Sequence, residues 1–121
     1  MRVTRSSAVP DDRMDPANFN GSVTSRNLGS YDEIDGTVLL VTFPAGVRTA
    51  WHSHPGGQFL FVTAGRGRVG TRDGEVARLE VGDLAHAPAG EEHWHGAAED
   101  AAVTHLAVNH GATDWLEAVE E

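Results

Sequence analysis

The residues in this chain best suited to chemistry are its histidines, all seven of which lie between residues 52 and 110. Two pairs stand one residue apart: His52 with His54 in "WHSHPGGQ", and His93 with His95 in "EEHWHG". On an extended strand residues i and i+2 point to the same side, so each pair converges. A helix would splay His52 from His54, and Pro55-Gly56-Gly57 argues against a helix there. His105 and Asn109 share a strand face by the same count. Paired histidines on a solvent-facing strand would be ordinary polar surface. Here the first pair ends at a tight turn and a second pair repeats the pattern. That favours a metal site, because imidazole is the commonest protein ligand and suits Zn, Fe, Ni and Cu.

Such convergence requires strands, and the chain supplies them. Short β-type runs punctuated by glycine and proline dominate: "GTVLLVTFPAG", "RTAWHSH", "FLFVTAG", "GRVGTRDGE", "VARLEVGDLAHAPAG", "HWHGAAE" and "AVTHLAVN". Asp73-Gly74 is a hairpin signal. The pattern predicts an all-β sandwich or barrel. Only "TDWLEAVEE" predicts a short C-terminal helix, with Thr113 or Asp114 as N-cap and Trp115, Leu116 and Val119 on one face. Residues 1–20 read as a polar N-terminal arm, available to add a strand to a partner, and residues 21–121 as a single barrel domain. A chain of 121 residues with 40% hydrophobic content fits one core.

Composition narrows the chemistry. Cysteine is absent, which excludes disulfides and thiolate catalysis, and all nine basic residues are arginine, which excludes a Schiff-base lysine. A formal charge of −9 repels a phosphate backbone, so no nucleic-acid partner is expected. Arg66 and Arg68 in "GRGR" read as charge guarding a strand edge. No apolar run is long enough to span a membrane, and the N-terminus lacks an apolar signal core, so a cytoplasmic protein is expected. Phe59, Phe61, Trp51 and Trp94 read as barrel core or interface, and His86 and His110 as structural or exposed.

Gly46, His52, His54, Gln58 and Gly65 resemble the first cupin motif, with Gln58 standing where a glutamate is usual. Gly82, Pro88, Gly90, His93 and Ala97 resemble the second, with Ala97 in place of an asparagine. The resemblance implies an all-β, cupin-type jelly-roll β-barrel whose mouth holds a metal ion. "RTAWHSHPGGQ", "PAGEEHWHGA" and "THLAV" further resemble the bacterial manganese-dependent cupin hydroxynitrile lyases. That likeness implies that His52, His54, Gln58 and His93 bind one divalent ion, Mn(II) first, with Fe(II), Zn(II) or Ni(II) as alternatives. It also implies that His95 and His105 act as catalytic acid and base, and that Leu39, Val41, Thr49 and Asn109 surround a small-molecule substrate. An amide ligand adds no charge, so three neutral imidazoles and Gln58 leave such a centre at a formal +2. It should then be a stronger Lewis acid, and favour an anionic ligand, compared with a carboxylate-neutralised site.

The function expected is a metal-dependent, hydroxynitrile lyase-like enzyme acting on a small carbonyl or α-hydroxy compound. An Fe- or Ni-dependent cupin dioxygenase and a non-catalytic small-ligand-binding cupin remain as alternatives. The outward face of "FLFV" needs cover, so a homodimer or higher homo-oligomer is expected.

Overall fold

The computed structural model describes residues 1–120; Glu121, the last residue of the expected barrel domain, lies outside the described residues. Ten strands follow in chain order: β1 (Asp12–Arg13), β2 (Thr24–Tyr31), β3 (Gly36–Phe43), β4 (His52–Ser53), β5 (Gln58–Thr71), β6 (Val76–Glu80), β7 (Leu84–Ala87), β8 (His93–Ala97), β9 (Val103–His110) and β10 (Asp114–Trp115). Every pairing is antiparallel. One sheet runs β1-β2-β3-β9-β5-β7, and the other brings β10, β4, β8 and β6 around the same β5. The result is the jelly-roll barrel that the motifs imply.

β5 joins the two sheets. Its first half, from Gln58, pairs with β9 and β7, and its second half, from Arg66, pairs with β6 and β8. The change comes where the β5–β9 register shifts between Val62 and Ala64, just before Gly65 at φ 74°. A bulge followed by a left-handed glycine is how a strand turns a barrel corner. No side chain fits at Gly65, because a Cβ there would collide with the Ala102 carbonyl.

Alternation along the strands separates an inner face from an outer one. Val41 and Phe43 on β3, Leu60 and Val62 on β5, and Val103 and Ala107 on β9 point inward and form the core with Val23 and Ala97. The opposite faces of the same strands form two apolar rows. Val38, Val108, Phe59 and His86 lie side by side in one; Leu40, Leu106, Phe61 and Leu84 in the next. Phe59 and Phe61 therefore face outward, whereas Trp94 is buried.

Two terminal expectations meet the structure differently. The C-terminal helix does not form: Asp114 and Trp115 pair with Ser53 and His52 as a strand, and residues 116–120 are irregular. The short edge of β4 offers unpaired backbone groups, and the tail takes them, with Leu116 N–H donating to the Trp51 carbonyl and Trp51 N–H to that of Glu117. Arg72 then clamps the Glu117 carboxylate through two contacts of 3.0 Å. A helix of so few residues is marginal in water, and these cross-strand bonds outweigh it. At the other end, β1 pairs with β2 of its own chain, and Met14 and Phe19 of the arm pack on the core. No helix among the described residues is long and apolar enough to cross a membrane.

Two glycine substitutions test the corner. Gly65→Ala should cost at least about 2 kcal/mol in urea denaturation, from strain and collision together. Gly74→Ala, with a similar φ of 88° but nothing within 4 Å, should cost only about 1 kcal/mol. Equal losses would remove the corner role from Gly65.

Candidate metal centre

Four strands deliver six polar side chains to the barrel interior. β4 carries His52, with His54 just after it; β5 opens on Gln58; β8 brings His93 and His95; β9 brings His105. All six are buried, none more than 5% exposed. The ring centroid of His52 lies 4.4 Å from that of His93 and 5.1 Å from those of both His54 and His95.

Backbone and hydroxyl partners fix the rings on their outer sides. His52 Nδ1–H donates to the Ala50 carbonyl at 3.0 Å, and His93 Nδ1–H to the Glu91 carbonyl at 2.9 Å. His54 Nδ1 lies 3.3 Å from the Thr113 hydroxyl. Each ring thereby presents its other nitrogen to the interior, the arrangement in which outer partners orient metal-binding histidines. His54 Nε2 is buried with no hydrogen-bond partner. His93 Nε2 lies 2.8 Å from Gln58 Oε1, an acceptor, while its other nitrogen also faces an acceptor. A neutral imidazole has one N–H, so it cannot satisfy both.

A second proton is not the remedy. Desolvation, with the nearby His93 and His54 rings adding to it, pushes His52 down to about 3. Desolvation and the His93 ring push His54 down to about 4. Burial also lowers His93 from 6.5. Several uncharged lone pairs thus converge among almost fully buried side chains, and a divalent cation would satisfy them. The donor set fits one. One ring nitrogen from each of His52, His93 and His95 also lies within 4.8 Å of the others, so three histidines stand close enough to share an ion. His54 is outside that trio, and His95, read from sequence as an acid–base group, is inside it. His52, His54, Gln58 and His93 stay contiguous through the contacts above.

Beside the rings lies a cavity of about 160 Å³. Leu39, Val41, Thr49 and Asn109 all line it, together with His52, His54, Gln58 and His95. Thr49 ties the strands of His52 and His95 together: its hydroxyl accepts the His95 backbone N–H at 3.2 Å and lies 3.4 Å from His52 Nδ1. His105 does not line the cavity. It sits behind His95, with its Nε2 3.1 Å from His95 Nδ1, against the Phe43 ring and with its own Nδ1 unpartnered. Burial lowers His105 to about 4, and burial with the neighbouring imidazoles puts His95 well below 6.5.

Sequence reasoning missed part of the wall. Met14 and Phe19 of the arm and Trp115 of β10 line the cavity too, and the Trp115 ring stands 4.8 Å from that of His52. The signal in the arm was two apolar residues, Met14 and Phe19, amid polar ones. Trp115 carried none once its segment read as helical.

These depressed values set a pH dependence for metal-free protein. Between about pH 6.5 and 4 an unfolded chain protonates His52, His54 and His105 while the folded chain keeps them neutral, so stability falls as pH falls through that window. Each fully coupled group steepens the loss by about 1.4 kcal/mol per pH unit. Urea midpoints of chelator-treated protein should be level above pH 7 and drop steadily at pH 5.5 and 4.5. A level midpoint down to pH 4.5 would contradict it.

Comparison with known proteins agrees with this geometry. Residues 39–109 match the family model described as the cupin domain. The chain is 48% identical over 85 residues to an (R)-mandelonitrile lyase from Granulicella tundricola, a match covering 67% of this chain and 65% of that protein, just under two thirds of its length. A cupin-like protein from Thermotoga maritima superposes with a TM-score of 0.85 at 36% identity, over 90% of this chain and 86% of that one. An acetylacetone dioxygenase from Acinetobacter johnsonii shares the fold, with a TM-score of 0.77 at 20% identity over 97% of this chain and 78% of that one. The β5-centred barrel, the two histidine pairs and these matches give one conclusion: the chain belongs to the cupin family.

Proposed function

We propose that this protein is a metal-dependent lyase that cleaves and forms the C–C bond of a small α-hydroxynitrile. The observation that carries the reading is the cavity, where an apolar wall of Leu39, Val41, Phe43 and Ala107 faces the ring of His95 beside the lone-pair cluster. Its volume of about 160 Å³ is close to that of an apolar cavity known to hold benzene, which suits one aromatic ring or a short aliphatic chain. The 48% identity to an (R)-mandelonitrile lyase supports the same substrate class.

His52, His54, Gln58 and His93 would hold the ion, with Mn(II) favoured. A bound divalent cation supplies positive charge where cyanide or the substrate oxygen carries negative charge. The remaining work falls to the chain. The apolar wall takes the substrate's side chain and Thr49 holds His95 in place. When His95 Nδ1 carries its proton and donates to His105, the other His95 nitrogen is a free base. That nitrogen accepts the hydroxyl proton, the oxygen's electrons form the carbonyl, and the C–C pair leaves with cyanide, which takes up a proton. Burial keeps His95 in the neutral form this step needs at pH 7.

Mandelonitrile cleavage, followed by benzaldehyde release, tests the assignment. His95→Ala should lower kcat about 10²- to 10⁴-fold. Metal content is checked in parallel, because His95 also stands near the candidate ligands. No oxygen should be consumed. Unchanged turnover in the variant removes His95 from the reaction, and oxygen uptake that tracks turnover replaces the lyase reading with an oxygenase.

We also propose that a second copy of this chain covers the two outer apolar rows. Phe59, Phe61 and Leu84 are 39%, 42% and 60% exposed, and the only charge in line with the rows, Arg26 beside Leu40 on β2, is neutralised by Asp11 at the row's end. Charge depletion around exposed aromatics marks an interface core. Two copies each carrying −9 repel across most of their surface, so this uncharged face is where they can meet. Light scattering should give twice the chain mass for the wild type and the chain mass for Phe61→Glu. A monomeric wild type at about 100 μM, well above a micromolar Kd, rules the dimer out.

A further inference from the structure

We infer that Asn109 fixes which end of the Gln58 amide faces the histidines and is therefore the positioning residue that makes this glutamine a ligand, an inference that rests on the metal-centre reading above. A glutamine amide has two ends of nearly equal size and opposite polarity. Only the oxygen end offers lone pairs to a cation; the NH₂ end would repel one. A carboxylate at this position would not face the choice, because both its ends are oxygens. A chain that carries Gln58 here needs something to select the oxygen.

The fold supplies it from the adjoining strand. Gln58 and Asn109 are directly paired residues of β5 and β9. Gln58 Nε2 donates to Asn109 Oδ1 at 2.6 Å, and with that end held, Oε1 is left 2.8 Å from His93 Nε2. With Asn109 Oδ1 in its present place, turning the Gln58 amide over would set two oxygens against each other on one side and NH₂ toward the ring nitrogens on the other, so the Gln58 orientation is coupled to that of Asn109. Asn109 stands at the cavity wall and no ring nitrogen hydrogen-bonds to it, so it acts on the centre through Gln58.

The test is metal affinity rather than turnover. Mn(II) and Zn(II) dissociation constants are measured by chelator competition for the wild type, Asn109→Leu and Asn109→Asp, each in the native and in the Gln58→Glu background, with metal-free melting temperatures alongside. Removing an outer partner of a ligand typically loosens metal binding 10- to 100-fold, and that loss is expected for Asn109→Leu in the native background. Asn109→Asp keeps the acceptor and should bind at least as tightly as the wild type. In the Gln58→Glu background, where there is no amide to orient, Asn109→Leu should cost less than about threefold, well short of that outer-partner loss. Wild-type affinity in Asn109→Leu, equal loss in both backgrounds, or failure of Asn109→Asp to restore binding each overturns the inference. A wild type that binds neither ion overturns the metal-centre reading itself, a result distinct from any of these.

Discussion

Keeping several imidazoles dry without letting them take up protons is the constraint around which this barrel is organised. The rings of His52, His93 and His54 give up hydration and each gain one hydrogen bond on the outer side, with the Ala50 carbonyl, the Glu91 carbonyl and the Thr113 hydroxyl. Charging the rings would set like charges a few ångströms apart in a medium that screens them poorly. No carboxylate lies inside the cluster: Gln58 stands where an acid would, and Asp114 and Glu91, which act on His54 and His93 from exposed positions, do not overcome burial. The rings therefore stay neutral, and the protein leaves His54 Nε2 without a partner and sets His93 Nε2 against an acceptor. The chemistry proposed for the site follows from that deficit.

The deficit survives because β5 belongs to both sheets. Its first residue stands among the histidines, its middle packs the core with Leu60 and Val62, and its second half supports β8, from which His93 and His95 project. One bulged corner at Gly65 sets the angle between these halves. The same alternation that turns Leu60 and Val62 inward turns Phe59 and Phe61 out. The core and the uncovered outer face are thus two results of one pleat, and the register that fixes the first fixes the second.

Period-two spacing made the histidine pairs legible, because a strand leaves side chains two apart no choice of face. The glycine and proline punctuation made most strand boundaries legible, since those residues carry local meaning in any fold. The tail was not. "TDWLEAVEE" has helical spacing and a cap, but nothing local reports that β4 has a free edge waiting beside it. The arm's part in the cavity was hidden for a related reason: its few apolar residues look incidental until a cavity exists for Met14 and Phe19 to close. The role of Asn109 depends on a cross-strand neighbour 51 residues away, a partnership set by register between distant segments. Leu39 and Val41 share the same cavity for that reason as well, being placed by the pairing of β3 with β9.

Adjacency within each histidine pair has a consequence for the chain when it is not folded. His52 with His54, and His93 with His95, stay neighbours along the backbone whatever the tertiary structure does. Each pair is then a mobile two-toothed chelator. A divalent ion added to the protein has these weaker traps available in the denatured ensemble, and occupancy there subtracts from the protection that native binding confers. Tight loading and a modest gain in melting temperature are therefore compatible in this molecule.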